Sequence, residues 1–243
     1  MGLDAFEFFL FDRILGPSLE ERRFDIKKLA SVIKDSGIVL SDFLLNVGGI
    51  VGGSLNNPQD RSSYIKRLRT MVSVAHKLDC QKLITTTGNC IDGVSREKQH
   101  ENIVSILKEA SKITEKEGIT LILEPLNTRV DHRGYYLDSP IEGAQIVEEV
   151  NSPSIKLLFD CYHMQIMNGN LMATIDSMID SIGHFHLAGV PGRNEIFIGE
   201  LNYQNIIRYI ESLGYKGYIG LEYRPTMPSE ESIKKTLAYL RAK

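Results

Sequence analysis

The sequence predicts an α/β fold in which parallel strands curve into a barrel inside a layer of helices, and three observations carry that prediction. Short β-rich runs alternate with long amphipathic segments along nearly the whole chain, the pattern of a parallel sheet with helices outside. Between the runs, apolar residues recur at spacings of three and four. Ile65, Leu68, Met71, Val72, Ala75 and Leu78 do so, as do Ile103, Ile106, Leu107, Ala110 and Ile113. Four of the β-rich runs end on an ionisable residue: Glu124 in LILEP, Asp160 in LLFD, His186 in GHFHLA and Glu222 in IGLEY. Their separations of 36, 26 and 36 residues each approximate one strand-plus-helix unit.

In chain order, strands are expected at 4–11, 38–46, 82–88, 119–124, 155–160, 183–188 and 217–223. Gly37, Gly118, Gly214 and Gly217 stand where the intervening helices should stop. Asp138-Ser139-Pro140 supplies a cap followed by a helix-opening proline. The Gly/Asn-rich stretch 47–58 lacks the Gly-Lys-Ser/Thr ending of a phosphate-binding loop. It reads as a flexible connection, placed where it can lie over the barrel mouth. Seven strands are counted, one fewer than the eight of a complete barrel. No linker or composition break divides the chain, so residues 1–243 are expected to form one domain.

Bulk composition excludes several function classes. The chain is 42% hydrophobic and 24% charged, as an ordinary soluble globular protein is. A net charge of −3 argues against a nucleic-acid-binding surface. The opening MGLDAFEFFLFD has too short an apolar run, broken by Glu7, to be a signal peptide or a membrane span. Cys80, Cys90 and Cys161 are odd in number and far apart, which suits a reducing cytoplasm rather than a disulfide framework.

Four strand ends of a parallel barrel point into one mouth, the face on which such barrels carry their chemistry. Two Glu, one Asp and one His converging there suit a hard or borderline divalent cation, Mn²⁺ or Mg²⁺ first, with Co²⁺ and Zn²⁺ also accommodated. A cation flanked by two carboxylates is suited to polarising a carbonyl and moving a proton. His184, two residues before His186, faces the same side of its strand, where it either assists the site or packs. Asp131-His132-Arg133 reads as a solvated loop, and the tyrosines of GYYL, 134–137, as an aromatic wall or as packing for the next helix.

EPLNTR at 124–129, FDCYHMQIMNGNL at 159–171, GHFHLAGVPGRNE at 183–195, GELNY at 199–203 and GYKGYIGLEYRP at 214–225 together resemble hydroxypyruvate isomerases. Those belong to the xylose isomerase-like barrels, which also include ketose 3-epimerases and endonuclease IV. The resemblance is strong over 80–243 and loose before it. It implies metal ligation by Glu124, Asp160, His186 and Glu222, with Glu124 and Glu222 doubling as the catalytic pair. It further implies substrate contacts from His163 and Arg193, and an orienting role for Asn127. GLDAFEFF resembles the family's second strand, so the barrel is expected to lack the first βα unit. Its open edges are then covered by a neighbouring subunit or a helix, which favours a homo-oligomer.

Two departures bear on the substrate. His186 stands where hydroxypyruvate isomerases usually carry Gln and ketose epimerases His. Thr128, Arg129 and Val130 stand where epimerases carry a further Glu. The resemblance therefore implies an isomerase moving a proton through an enediolate in a small 2-hydroxy-carbonyl compound, with a ketose 3-epimerase as the alternative. A non-catalytic truncated barrel binding sugar or metal is the third reading. A phosphodiesterase on the same fold is disfavoured by the acidic charge and the small number of histidines.

Overall fold

The computed structural model describes residues 2–8, 25–48 and 52–242. Its strands are β1 (Ala5–Phe8), β2 (Val39–Leu44), β3 (Lys82–Thr85), β4 (Thr120–Leu123), β5 (Ile155–Asp160), β6 (Ile182–Leu187) and β7 (Ile219–Leu221). They form one sheet in sequence order, each parallel to its neighbours. The result is a nearly closed barrel with seven parallel strands among the described residues. The first expected strand is seen at Ala5–Phe8, and positions 9–11 of that expectation lie outside the described residues.

The helices are α1 (Ile26–Ser36), α2 (Arg61–Lys77), α3 (Arg96–Glu117), α4 (Pro140–Val150), α5 (Cys161–Met167), α6 (Leu171–Met178), α7 (Tyr203–Ser212) and α8 (Ser229–Arg241). Their ends follow the local chemistry. Asp25, Ser95 and Ser139 each accept a first-turn backbone N–H of α1, α3 and α4, and Pro140 opens α4. Gly37 and Gly118, both at φ 67°, end α1 and α3 in the left-handed conformation that a Cβ disfavours. None of the described helices is long and apolar enough to cross a membrane.

Alternation along the strands separates two cores. Outward-facing Phe43, Leu83, Leu121, Leu123, Leu157, Phe159 and Phe185 join the helices in the main cluster. Inward-facing Leu44, Ile84, Ile122 and Leu158 form a second cluster inside the barrel. Fully burying each such side chain stabilises the fold by about 1.5–3 kcal/mol. Two residues beyond Ile122 and Leu158 on the same face come Glu124 and Asp160. The polar mouth is thus the next inward layer above an apolar plug.

Of the stretch 47–58, positions 49–51 lie outside the described residues, and the rest departs from the expected flexible connection. Leu55 and Asn56 are fully buried, and the Leu55 N–H donates to the Thr87 carbonyl. Gly48 lies so close to the Gly88 backbone that a Cβ would overlap it. Close backbone approach, rather than freedom, accounts for glycine there.

β7 and β1 are not hydrogen-bonded to each other among the described residues. A cavity of about 890 Å³ follows this opening. Ala5, Phe6, Ile207, Leu237 and Leu240 give it an apolar wall, and it touches Glu7, His186 and Glu222. Side chains of α7 and α8 therefore flank the seam.

Candidate active site

Glu124 follows β4 directly, Asp160 closes β5, His186 is the penultimate residue of β6, and Glu222 follows β7. Each offers one ligand atom, and these four atoms lie within 4.8 Å of one another. The four strand ends singled out in the sequence are thus one cluster. The donor set fits a divalent cation, with three carboxylates and one imidazole. So does the lack of hydrogen bonds: among the described residues, Glu124 Oε1 and Asp160 Oδ2 are buried and have no hydrogen-bond partner. A buried carboxylate oxygen without a hydrogen bond costs several kcal/mol unless a cation or a proton meets it.

The remaining ligand atoms are held from behind. Asp160 Oδ1 caps α5, accepting the N–H groups of Tyr162 at 2.7 Å and His163 at 3.2 Å. That leaves Oδ2 facing the mouth. His186 Nδ1 lies 3.1 Å from Glu222 Oε2. Arg193 Nη2 lies 2.7 Å from the same oxygen and 3.6 Å from Asp160 Oδ2. Arg193 sits at φ 57°, an uncommon conformation for a side-chain-bearing residue, with its guanidinium 5.3 Å from the centre of the Tyr162 ring.

Electrostatics separates the two glutamates. Burial, reinforced by the nearby Glu222 carboxylate, raises the Glu124 carboxyl to about 8. Burial pushes Glu222 the same way, but His186 and then Arg193 outweigh it and lower Glu222 to about 2.

His163 is placed by Asn127. Its Nδ1 lies 3.2 Å from the Asn127 backbone nitrogen and 2.7 Å from the Asn127 side-chain nitrogen. A backbone N–H can only donate, so Nδ1 accepts and the ring proton sits on Nε2. Nε2 is buried, has no hydrogen-bond partner among the described residues and lies 3.6 Å from Asp160 Oδ2. Burial lowers the His163 imidazole to about 4, so it is a neutral donor beside the cluster. Asn127 itself is fixed by the Val130 and Asp131 N–H groups on its Oδ1.

The loop 131–133 is solvated as read from the sequence, with Asp131 and Arg133 exposed, but Asp131 and His132 also touch residues of the site. Asp131 Oδ2 accepts from the Asn127 side chain at 2.7 Å and from the Tyr162 hydroxyl at 2.8 Å. His132 packs edge-on against His163. From the GYYL segment, the Tyr135 hydroxyl donates to the Glu124 carbonyl at 3.1 Å, buttressing the backbone at that ligand.

A second ionisable cluster lies behind the first and shares His186: Glu7, Asp42, His184 and His186. Glu7 Oε1 is 2.9 Å from His184 Nε2, and Glu7 Oε2 is 2.7 Å from His186 Nε2. Burial would raise the Glu7 carboxyl, but the two imidazoles hold it well below the usual carboxylate range. Sequence reasoning placed His184 correctly on the inner face and missed Glu7 and Asp42. The signal was present, since a Glu inside AFEF and an Asp inside VLSDFL interrupt apolar strands.

Comparison with known proteins agrees with the fold. The model of the family described as "Xylose isomerase-like TIM barrel" matches residues 1–243. A putative hydroxypyruvate isomerase of Danio rerio is 33% identical over 229 residues, spanning 90% of this chain and 82% of the relative. The hydroxypyruvate isomerase of Escherichia coli K12 is 28% identical, spanning 87% of this chain and 83% of that protein. A Brucella melitensis structure titled AP endonuclease, family 2, superposes with a TM-score of 0.86 at 29% identity, covering 98% of this chain and 89% of that one. By the family match along its whole length, the chain belongs to the xylose isomerase-like TIM barrel family.

Proposed function

We propose that this protein is a divalent-cation-dependent isomerase that moves a proton between adjacent carbons of a small 2-hydroxy-carbonyl compound, with hydroxypyruvate as the first candidate. The cluster of Glu124, Asp160, His186 and Glu222, with two buried oxygens that have no hydrogen bond among the described residues, carries the reading. Mn²⁺ or Mg²⁺ suits its oxygen-rich donors, and Co²⁺ or Zn²⁺ its imidazole. When bound, such a cation supplies stabilisation of the negative charge that develops on the substrate oxygens as an enediolate forms.

The chain's own groups divide the remaining work. Glu222, ionised at neutral pH, takes the proton from the carbon beside the carbonyl. Glu124 returns a proton at the neighbouring carbon, the proton of the substrate hydroxyl passes to the former carbonyl oxygen, and exchange with water resets the two carboxyls. Neutral His163 offers its Nε2–H to a substrate oxygen, held in that tautomer by Asn127. Arg193 neutralises the mouth carboxylates and pairs with a carboxylate or hydroxyl at the far end of the substrate.

Delivery of the proton to the opposite face of the same carbon would make the reaction an epimerisation. His186, the ligand type seen in ketose epimerases, favours that second reading. A nuclease role, which the Brucella title attaches to that protein, sits poorly with a net charge of −3 and an acidic mouth.

Proton NMR in D₂O tests the proposal, using hydroxypyruvate and a panel of small ketoses, with Mn²⁺ present during reaction and chelated before the spectrum is recorded. Cation-dependent deuterium incorporation beside the carbonyl is the expected result. A cation-loaded protein that exchanges no proton on any of these substrates would refute it.

A further inference from the structure

The register between β1 and β2 slips by one residue. Ala5 pairs with Val39 and Phe6 with Leu40, but Glu7 pairs with Asp42 instead of Ser41. Slips of this kind re-aim a side chain and recur beside active sites. Along β1, Phe6 and Phe8 pack outward on the main core, so Glu7 between them points into the barrel, against both imidazoles of β6. The slip in β2 brings Asp42 opposite it. Gly220 on β7 leaves room for the Glu7 carboxylate, since a Cβ there would overlap Glu7 Oε1 and lie 2.8 Å from His186 Cδ2.

His186 is thereby gripped at both ring nitrogens. Nδ1 faces Glu222, 3.1 Å away in the mouth, and Nε2 faces Glu7, 2.7 Å away behind it. An imidazole offers a lone pair at Nδ1 only when its proton rests on Nε2. A carboxylate can accept that proton's hydrogen bond and has none to give. We infer that Glu7 is a positioning residue: its carboxylate holds the Nε2–H of His186 and so presents the Nδ1 lone pair to a cation in the mouth. The inference rests on reading the mouth as a cation site. His184 secures the other Glu7 oxygen at 2.9 Å, so the carboxylate is held from two sides. Lys82, inward-facing and near Asp42, donates to the Gly183 carbonyl at 2.9 Å.

Outer partners of metal-bound histidines commonly contribute about 10–100-fold to metal affinity. A double-mutant cycle read as Zn²⁺ affinity, by chelator competition, separates this role from general support of the fold. Glu7→Gln is expected to weaken Zn²⁺ binding by about 10–100-fold in the wild-type background. In a His186→Gln background it is expected to change affinity by less than about 2-fold, because the group through which Glu7 acts is gone. Equal losses in both backgrounds, or no loss in either, would overturn the proposal. So would a fall from two bound Zn²⁺ to one, which would make Glu7 a ligand.

Nitrogen-15 NMR of the Zn²⁺-loaded wild type gives a reading that needs no variant. Zinc on Nδ1 with a hydrogen-bonded Nε2–H supports the inference, and zinc on Nε2 overturns it. Failure of the cation reading itself looks different. It shows as a wild-type chain that binds no divalent cation, and it would take this proposal with it.

Discussion

Glu124 and Glu222 close the same ligand cluster from β4 and β7, yet their carboxyls sit on opposite sides of neutrality, near 8 and near 2. The difference comes from their neighbours. Glu222 has His186 and Arg193 against one oxygen, whereas an oxygen of Glu124 is buried without a hydrogen bond among the described residues. Replacing either by Gln removes a proton-transferring group, which is typically worth about 10²–10⁴-fold in rate. Both Glu124→Gln and Glu222→Gln should therefore lose at least about 100-fold in turnover while retaining part of the bound cation. Initial rates alongside elemental analysis check this. Normal rates in both variants would eliminate the paired-carboxylate mechanism.

The same split predicts how the metal-free protein responds to pH. Folded Glu124 holds its proton to about pH 8, against an ordinary value of 4.5. Between those limits the folded chain binds a proton that the unfolded chain does not. Stability from this group is therefore complete below 4.5 and declines as pH rises through the window. Glu124→Gln cannot titrate and should flatten that decline. Metal-free Glu124→Gln should melt several degrees above wild type at pH 8.5, with the gap closing towards pH 5. Saturating Mn²⁺ should reverse the order, because binding to the folded state stabilises wild type by mass action. Thermal melts across pH, with and without chelator, would reveal a failure as parallel curves.

Much of the fold and of the four-residue cluster was legible because both follow from periodicity. Alternation along a strand fixes which side chains face inward, and Glu124 and Asp160 follow Ile122 and Leu158 by two residues on the same face. Glu7 and Asp42 each interrupt an apolar strand, but what brings them together is the cross-strand register of β1 and β2, which no single-strand pattern records. The contacts of the Asp131 loop, itself exposed as its charge implies, escaped for a related reason. Its charge suggests solvent, but Asn127 and Tyr162 reach it from elements 4 and 31 residues away in sequence. Stretch 47–58 misled in the opposite sense, since Gly48 serves close contact with Gly88.

His163 carries a prediction that separates substrate handling from cation binding. Its Nε2 is buried without a hydrogen bond among the described residues, and Asn127 holds Nδ1. A neutral donor meeting a charged oxygen contributes about 1.5–3 kcal/mol. His163→Ala should lower turnover by roughly 10–100-fold, the rate equivalent of that energy. Bound cation per chain should stay unchanged. Loss of the cation together with activity would instead make His163 part of the ligand set.

Two glycines on inner surfaces should answer differently to alanine. At Gly48 the added Cβ would overlap the amide nitrogen and Cα of Gly88, and backbone cannot step aside. At Gly220 it would meet Glu7 Oε1, the far end of a side chain, and His186 Cδ2 at 2.8 Å. Gly48→Ala should therefore cost stability first, by about 1–3 kcal/mol or more as overpacking does, lowering the melting temperature with or without cation. Gly220→Ala should cost less stability and more function, because relief comes from moving Glu7 and turning the His186 ring. Its Zn²⁺ affinity should drop by about 10-fold or more, as loss of an outer partner would produce. Melting curves and chelator competition on the same two proteins decide the matter. Equal melting losses with unchanged affinity for Gly220→Ala would mean that Glu7 and the His186 ring yield to the added methyl without disturbing the cation site.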